Sequence, residues 1–110
     1  MSCKVIILEN FAKEIKRLHK KYKNIKSDIR QLSKQLQANP KSGILLGNNC
    51  YKIRVSNSSI PTGKSGGFRV IYYYLYDDDN IFLITIYSKR DLENISDKVV
   101  LELLKKYGLD

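Results

Sequence analysis

This sequence predicts an α+β fold: a small antiparallel β-sheet with an N-terminal helical hairpin and a C-terminal helix. Three observations carry that reading. Apolar residues recur at helical spacing through two polar, lysine-rich stretches in the first forty residues. From residue 50 onward, three segments rich in β-branched and aromatic residues are separated by turn-forming polar residues and glycines. Helical spacing then returns near the C-terminus. The resulting order, β-α-α-β-β-β-α, implies helices packed on one face of an antiparallel sheet. At 110 residues the length fits one domain, residues 1–110, with a single modest core.

Residues 4–8 form a short apolar run that reads as a buried strand. Asn10 is the expected cap of the first helix, whose stripe is Phe11, Ile15, Leu18, Tyr22 and Ile25. Its other face carries Lys13, Lys16, Arg17, Lys20, Lys21 and Lys23. His19 sits among these lysines with no carboxylate a turn away to orient it, so it reads as a helix surface residue and not a base. Ser27 is the expected cap of a second helix that buries Ile29, Leu32 and Leu36 and stops at Asn39-Pro40. Gly43 and Gly47 punctuate a loop around Ile44, Leu45 and Leu46.

Residues 50–55 alternate cleanly, with Tyr51, Ile53 and Val55 on one side and Lys52 and Arg54 on the other. Gly66-Gly67 lets the backbone turn into the long strand of residues 68–74. Alternation there puts Phe68, Val70, Tyr72 and Tyr74 on one face and Arg69, Ile71 and Tyr73 on the other. Asp77, Asp78, Asp79 and Asn80 read as a tight turn; the spaced ligands and closing glutamate of a calcium loop are missing. Residues 81–87 form a nearly all-apolar strand. Ser96 or Asp97 starts the last helix, which buries Val99, Val100, Leu103, Leu104 and Tyr107 and is capped by Gly108.

The formal charge of +9 points to an acidic partner such as nucleic acid. Its distribution says more. Residues 41–76 contain Lys41, Lys52, Arg54, Lys64 and Arg69 but no Asp or Glu. No apolar run approaches the roughly 20 residues of a membrane span, and the expected location is cytoplasmic. Cys3 and Cys50 have neither metal-ligand nor disulfide-framework spacing and read as small reduced hydrophobes. No metal and no cofactor is expected.

Adjacent strands lie about 4.8 Å apart and same-face neighbours along a strand about 7 Å. Lys52, Arg54 and Arg69 are therefore expected to converge on one phosphate. Cations that close repel one another, so stability alone does not explain them. A guanidinium holds phosphoryl oxygens bidentately and stabilises charge that develops in a transition state. Tyr51, Tyr73 and Tyr87 are candidates either to stack on an exposed base or to pack the core. Gly63-Lys64-Ser65 mimics the end of a P-loop, but the preceding glycine is absent, Ser58 stands in its place, and a strand follows instead of a helix.

Residues 50–55, 67–73 and 83–89 together resemble the RelE superfamily of toxins from bacterial type II toxin–antitoxin modules. The Lys-x-Gly-Gly-x-Arg-x-Ile-Tyr-Tyr pattern at 64–73 and the Ile-Tyr-x-Lys pattern at 86–89 look most like its HigB-related branch. The likeness covers about residues 44–95; the helical hairpin matches in position but not in motif. It implies ribosome-dependent mRNA cleavage, in which a 2′-hydroxyl attacks the adjacent phosphate without a metal. Lys52 would then be base or charge stabiliser, with Arg54 and Arg69 holding the phosphate. Lys89 or Arg90 matches the family's basic residue after the last strand, and Lys64, Tyr73 and Arg90 would contact RNA. RelE places a tyrosine beyond that point, where this chain has Ser96 and its neighbours; Tyr87 is the candidate substitute, completing a catalytic set of Lys52, Arg54, Arg69, Tyr87 and Lys89. The implied partners are a cognate antitoxin, the ribosome and mRNA. Two other readings share these features: a ParE-like toxin that inhibits DNA gyrase by protein binding, and a non-catalytic RNA-binding module.

Overall fold

The computed structural model describes residues 3–61, 66–76 and 79–110. Lys64 and the turn residues Asp77 and Asp78 lie outside the described residues. The elements are β1 (Lys4–Ile7), α1 (Glu9–His19), α2 (Ile25–Ala38), β2 (Ile44–Gly47), β3 (Cys50–Val55), β4 (Phe68–Tyr74), β5 (Asn80–Ser88) and α3 (Asp97–Lys106). They form an α+β fold around one five-stranded sheet in the order β1-β5-β4-β3-β2.

The sheet differs from expectation in two ways. It is mixed, because β1 runs parallel to β5 while the other neighbours are antiparallel. It also has an extra edge strand: the expected loop around Ile44 is β2, paired with β3 through the two-residue turn Asn48-Asn49. Both turn residues have positive φ, 52° and 62°, which is the backbone twist that a tight hairpin demands and Asn tolerates. Ile44, Leu45 and Leu46 are all exposed, so no hydrophobic alternation announced this strand.

The helices also divide between the two faces. The α1–α2 hairpin buries Phe11, Leu18, Ile25, Ile29, Leu32 and Leu36 against Ile53, Val55, Phe68, Val70, Tyr72, Leu83 and Ile86. Helix α3 lies on the opposite face, where Val100 and Leu104 pack with Cys50, Ile71, Tyr73 and Ile84. The expectation of helices on one face overlooked that Ile71 and Tyr73 share a side with Arg69 and need a cover of their own. Val99, expected in the core, is 40% exposed.

Two caps move as well. Helix α1 starts at Glu9, so Asn10 is inside its first turn. There the Asn10 backbone N–H donates to the Tyr107 hydroxyl at 2.8 Å and its side chain donates to the Ile84 carbonyl at 3.0 Å. A distant phenol thus satisfies a helix-start N–H that a side-chain cap would otherwise serve. Helix α2 starts at Ile25, so Ser27 is also internal, and Tyr22 sits in the connection instead of on a continuous stripe. Ser96 does cap α3, its hydroxyl accepting from the Val99 N–H at 3.3 Å. Gly108 ends the helix region at φ +69°.

Tyr72 ties the loop before β2 to the sheet. Its buried ring stacks on Tyr51 at 5.2 Å between centroids. Its hydroxyl donates to the Pro40 carbonyl at 2.7 Å and accepts from the Gly43 N–H at 3.0 Å. Burial pushes this phenol up to about 12, so it remains a donor throughout the working pH range. Tyr72→Phe strands both backbone groups. Its expected loss is about 1–3 kcal/mol, read as a lower urea midpoint with unchanged slope.

Candidate active site

The outer end of the α3-side face carries the cations. Register places Arg54 opposite Arg69 and Arg69 opposite Tyr87, a row across β3, β4 and β5. Lys52 is two residues from Arg54 on the same face, opposite Ile71. The alternation of β3 and β4 therefore brings Lys52, Arg54 and Arg69 to one side of the sheet, as the sequence predicts.

Tyr87 joins them for a reason that alternation misses. The β4–β5 register shifts after Ile71: Ile71 faces Thr85, but Tyr72 faces Leu83. Ile84 is the extra residue of this β-bulge and packs beneath α3 with Ile71 and Tyr73. Strict alternation from Leu83, which packs against the helical hairpin, would point Tyr87 into that same core. The bulge turns the end of β5 over and sets Tyr87 beside Arg69.

Arg69 is 5% exposed and lies in the middle strand of the row. One edge of its guanidinium donates to the Phe68 carbonyl at 3.2 Å. Burial lowers its pKa from the ordinary arginine value, and the neighbouring Arg54 charge adds to that effect, while Tyr87 opposes it. Two cations this close, one of them buried, favour an anion beside them. The Tyr87 phenol is raised by its own burial, partly offset by Arg69 and by the Ile95 N–H, so it is a neutral donor at physiological pH.

The connection between β5 and α3 closes over this row. The Lys52 ammonium donates to the Asn94 side-chain oxygen at 3.1 Å, and the Tyr87 hydroxyl donates to the same oxygen at 3.3 Å. The Lys89 ammonium donates to the Glu93 carbonyl. Lys52 thus meets an amide and not a carboxylate. Arg90 is exposed on the turn after β5, its backbone N–H on the Ser88 hydroxyl. Beside the row, Lys52 and Arg54 line an open cleft of about 350 Å³ with Gln35, Ser42, Gly43 and Ile44.

Two sequence candidates sit elsewhere. Tyr73 is buried under α3, tilted against Phe82 at 6.1 Å, and is not brought into the row. Tyr51 belongs to the core beneath the helical hairpin. Both take the packing role, because their strand positions fall under a helix. Asn94 was not read from the sequence at all; a lone asparagine in a polar connection carries no motif. Cys50 is buried, and that burial pushes its thiol up to about 11, which leaves it protonated and chemically inert. Among the described residues no cluster of three metal-ligating side chains occurs.

A sequence model of the family described as the ParE toxin of the type II toxin–antitoxin system parDE matches residues 5–100. The chain belongs to this family. It is a toxin of a toxin–antitoxin system, within the RelE/ParE superfamily. Solved structures of Escherichia coli RelE share the fold of this ParE-family chain. An arginine-to-alanine double mutant of RelE in the free state superposes with TM-score 0.64 at 19% identity, covering 96% of this chain and 98% of that one. The isolated RelE toxin gives 0.59 at 18% identity, covering 96% and 99%. RelE in the intact RelBE toxin–antitoxin complex gives 0.60 at 19% identity, covering 79% and 96%. Among the described residues of this ParE-family toxin, no helix is long and apolar enough to cross a membrane.

Proposed function

We propose that this toxin is a metal-independent endoribonuclease that cuts mRNA on the ribosome. The observation that supports this reading most directly is the row Arg54–Arg69–Tyr87, with Lys52 beside it on the same face. RNA brings its own nucleophile, the 2′-hydroxyl next to the scissile phosphate. The protein has to remove that proton, bear the charge that builds on the phosphoryl oxygens, and protonate the leaving 5′-oxygen. On this reading Arg69 and Arg54 take the phosphoryl oxygens. Lys52 serves as base or charge stabiliser, and the neutral Tyr87 phenol is a proton donor or a surface for a base. Lys89, the exposed Arg90, and Lys64 would add attraction for the RNA backbone. The natural partners on this reading are mRNA, the ribosome and a cognate antitoxin, the last in line with the RelB-bound RelE neighbours. Such a toxin would work in the cytoplasm.

A second reading follows from the family match itself: a ParE-like toxin acting by protein binding on DNA gyrase. Mapping mRNA 5′ ends after brief induction, with and without ribosomes in a purified reaction, separates the two. New 5′ ends that require ribosomes are the expected result. Intact transcripts together with DNA damage would replace the nuclease reading with the gyrase one.

A further inference from the structure

We infer that Asn94 is a positioning residue: it holds the Lys52 ammonium and the Tyr87 phenol at a single point over β4 while leaving the site's positive charge undiminished. The inference rests on the nuclease reading above and extends it to a residue outside the strands.

Lys52 and Tyr87 lie on β3 and β5, with β4 between them. Their Cα atoms are two strand spacings apart across the sheet and two residues offset along it, on the order of 12 Å. Their polar ends nevertheless meet at one atom, the Asn94 Oδ1, at 3.1 and 3.3 Å. The Ile95 backbone N–H donates to that same oxygen at 3.0 Å. The Lys52 ammonium and the Ile95 N–H, neither of which can accept, also settle the orientation of the amide. Although Asn94 is exposed, the strap that carries it is tied at both ends and beside Asn94 itself. Lys21 pairs with Asp91 at 2.9 Å, Lys89 holds the Glu93 carbonyl, and Ser96 caps α3 two residues later.

The choice of an amide matters. An aspartate here would accept the same three donors but would neutralise Lys52 and weaken the pull on a phosphate. An alanine would leave the charge and lose the alignment. The two changes therefore separate geometry from charge, which a merely structural asparagine would not do.

The test is single-turnover cleavage of end-labelled mRNA on programmed ribosomes by the full chain and its Asn94 variants, each first shown to be folded by circular dichroism. Asn94→Ala is expected to lower the rate at saturation by about 100-fold, with half-saturation nearly unchanged. Asn94→Asp, which keeps the acceptor for the Ile95 N–H, is expected to weaken half-saturation and to reduce its logarithmic salt dependence by about one. In a Lys52→Ala background, Asn94→Ala should have a much smaller effect, because its main client is gone. Asn94→Ala cutting as fast as the unaltered protein, or faster, overturns the inference and leaves the nuclease reading standing. An unaltered protein that cuts nothing overturns the nuclease reading, and this inference with it.

Discussion

Arg69→Lys is expected to lower mRNA cleavage by about 10²–10³-fold, equivalent to about 3–4 kcal/mol of transition-state stabilisation, and to abolish growth arrest. Lysine preserves the charge but not the planar fork. On the nuclease reading, the fork is what grips the phosphate at this position. Arg69 is buried between Arg54 and Tyr87, its orientation set by β4 and by the Phe68 carbonyl. A flexible ammonium in the same space reaches one phosphoryl oxygen at a time and loses the bidentate geometry. The measurement is a cleavage rate paired with a thermal melt, so that an unfolded protein is not mistaken for an inactive one. A folded Arg69→Lys protein that still arrests growth fully would remove the phosphate-binding role from this row and favour the gyrase reading.

Gly67→Ala is expected to be the most disruptive small change in the described sheet. A Cβ at Gly67 would lie 2.2 Å from the Val55 carbonyl oxygen and 3.1 Å from the Asn57 nitrogen. Both are backbone atoms, so no rotamer change relieves the clash. The strands must part where Val55 pairs with Phe68, one step from the Arg54–Arg69 pair. The expected loss is about 3 kcal/mol, at the upper end for overpacking, with a fall in Tm of roughly 10–20 °C. Gly43→Ala offers a milder comparison, its Cβ meeting the Lys52 carbonyl at 2.8 Å and the Tyr72 hydroxyl at 3.1 Å. A Gly67→Ala protein that melts with the parent would contradict the close approach of β3 and β4.

These two residues show what the sequence made legible. Arg69, Arg54 and Lys52 were readable because β3 and β4 alternate without interruption over the stretch that matters, so facing follows from counting. Gly67 was readable as special but for a different reason: a turn was expected, whereas the need is for a missing side chain next to a neighbouring carbonyl. The hairpin strand β2 was not readable because its apolar residues face water on an edge. The parallel β1–β5 pair joins segments more than seventy residues apart, and nothing local encodes it. Asn94 was hidden because its value depends on where a connection crosses the sheet.

The bulge at Ile84 has a wider consequence. One additional residue sets the phase of β5, and that phase decides whether a phenol or an isoleucine stands next to Arg69. A molecule paired one step out along β5 would keep its helices and most of its sheet yet offer Ile86 where Tyr87 belongs. On the nuclease reading, chemical competence in this toxin is thus an attribute of correct pairing between β4 and β5, and a chain misregistered along that ladder would lack it.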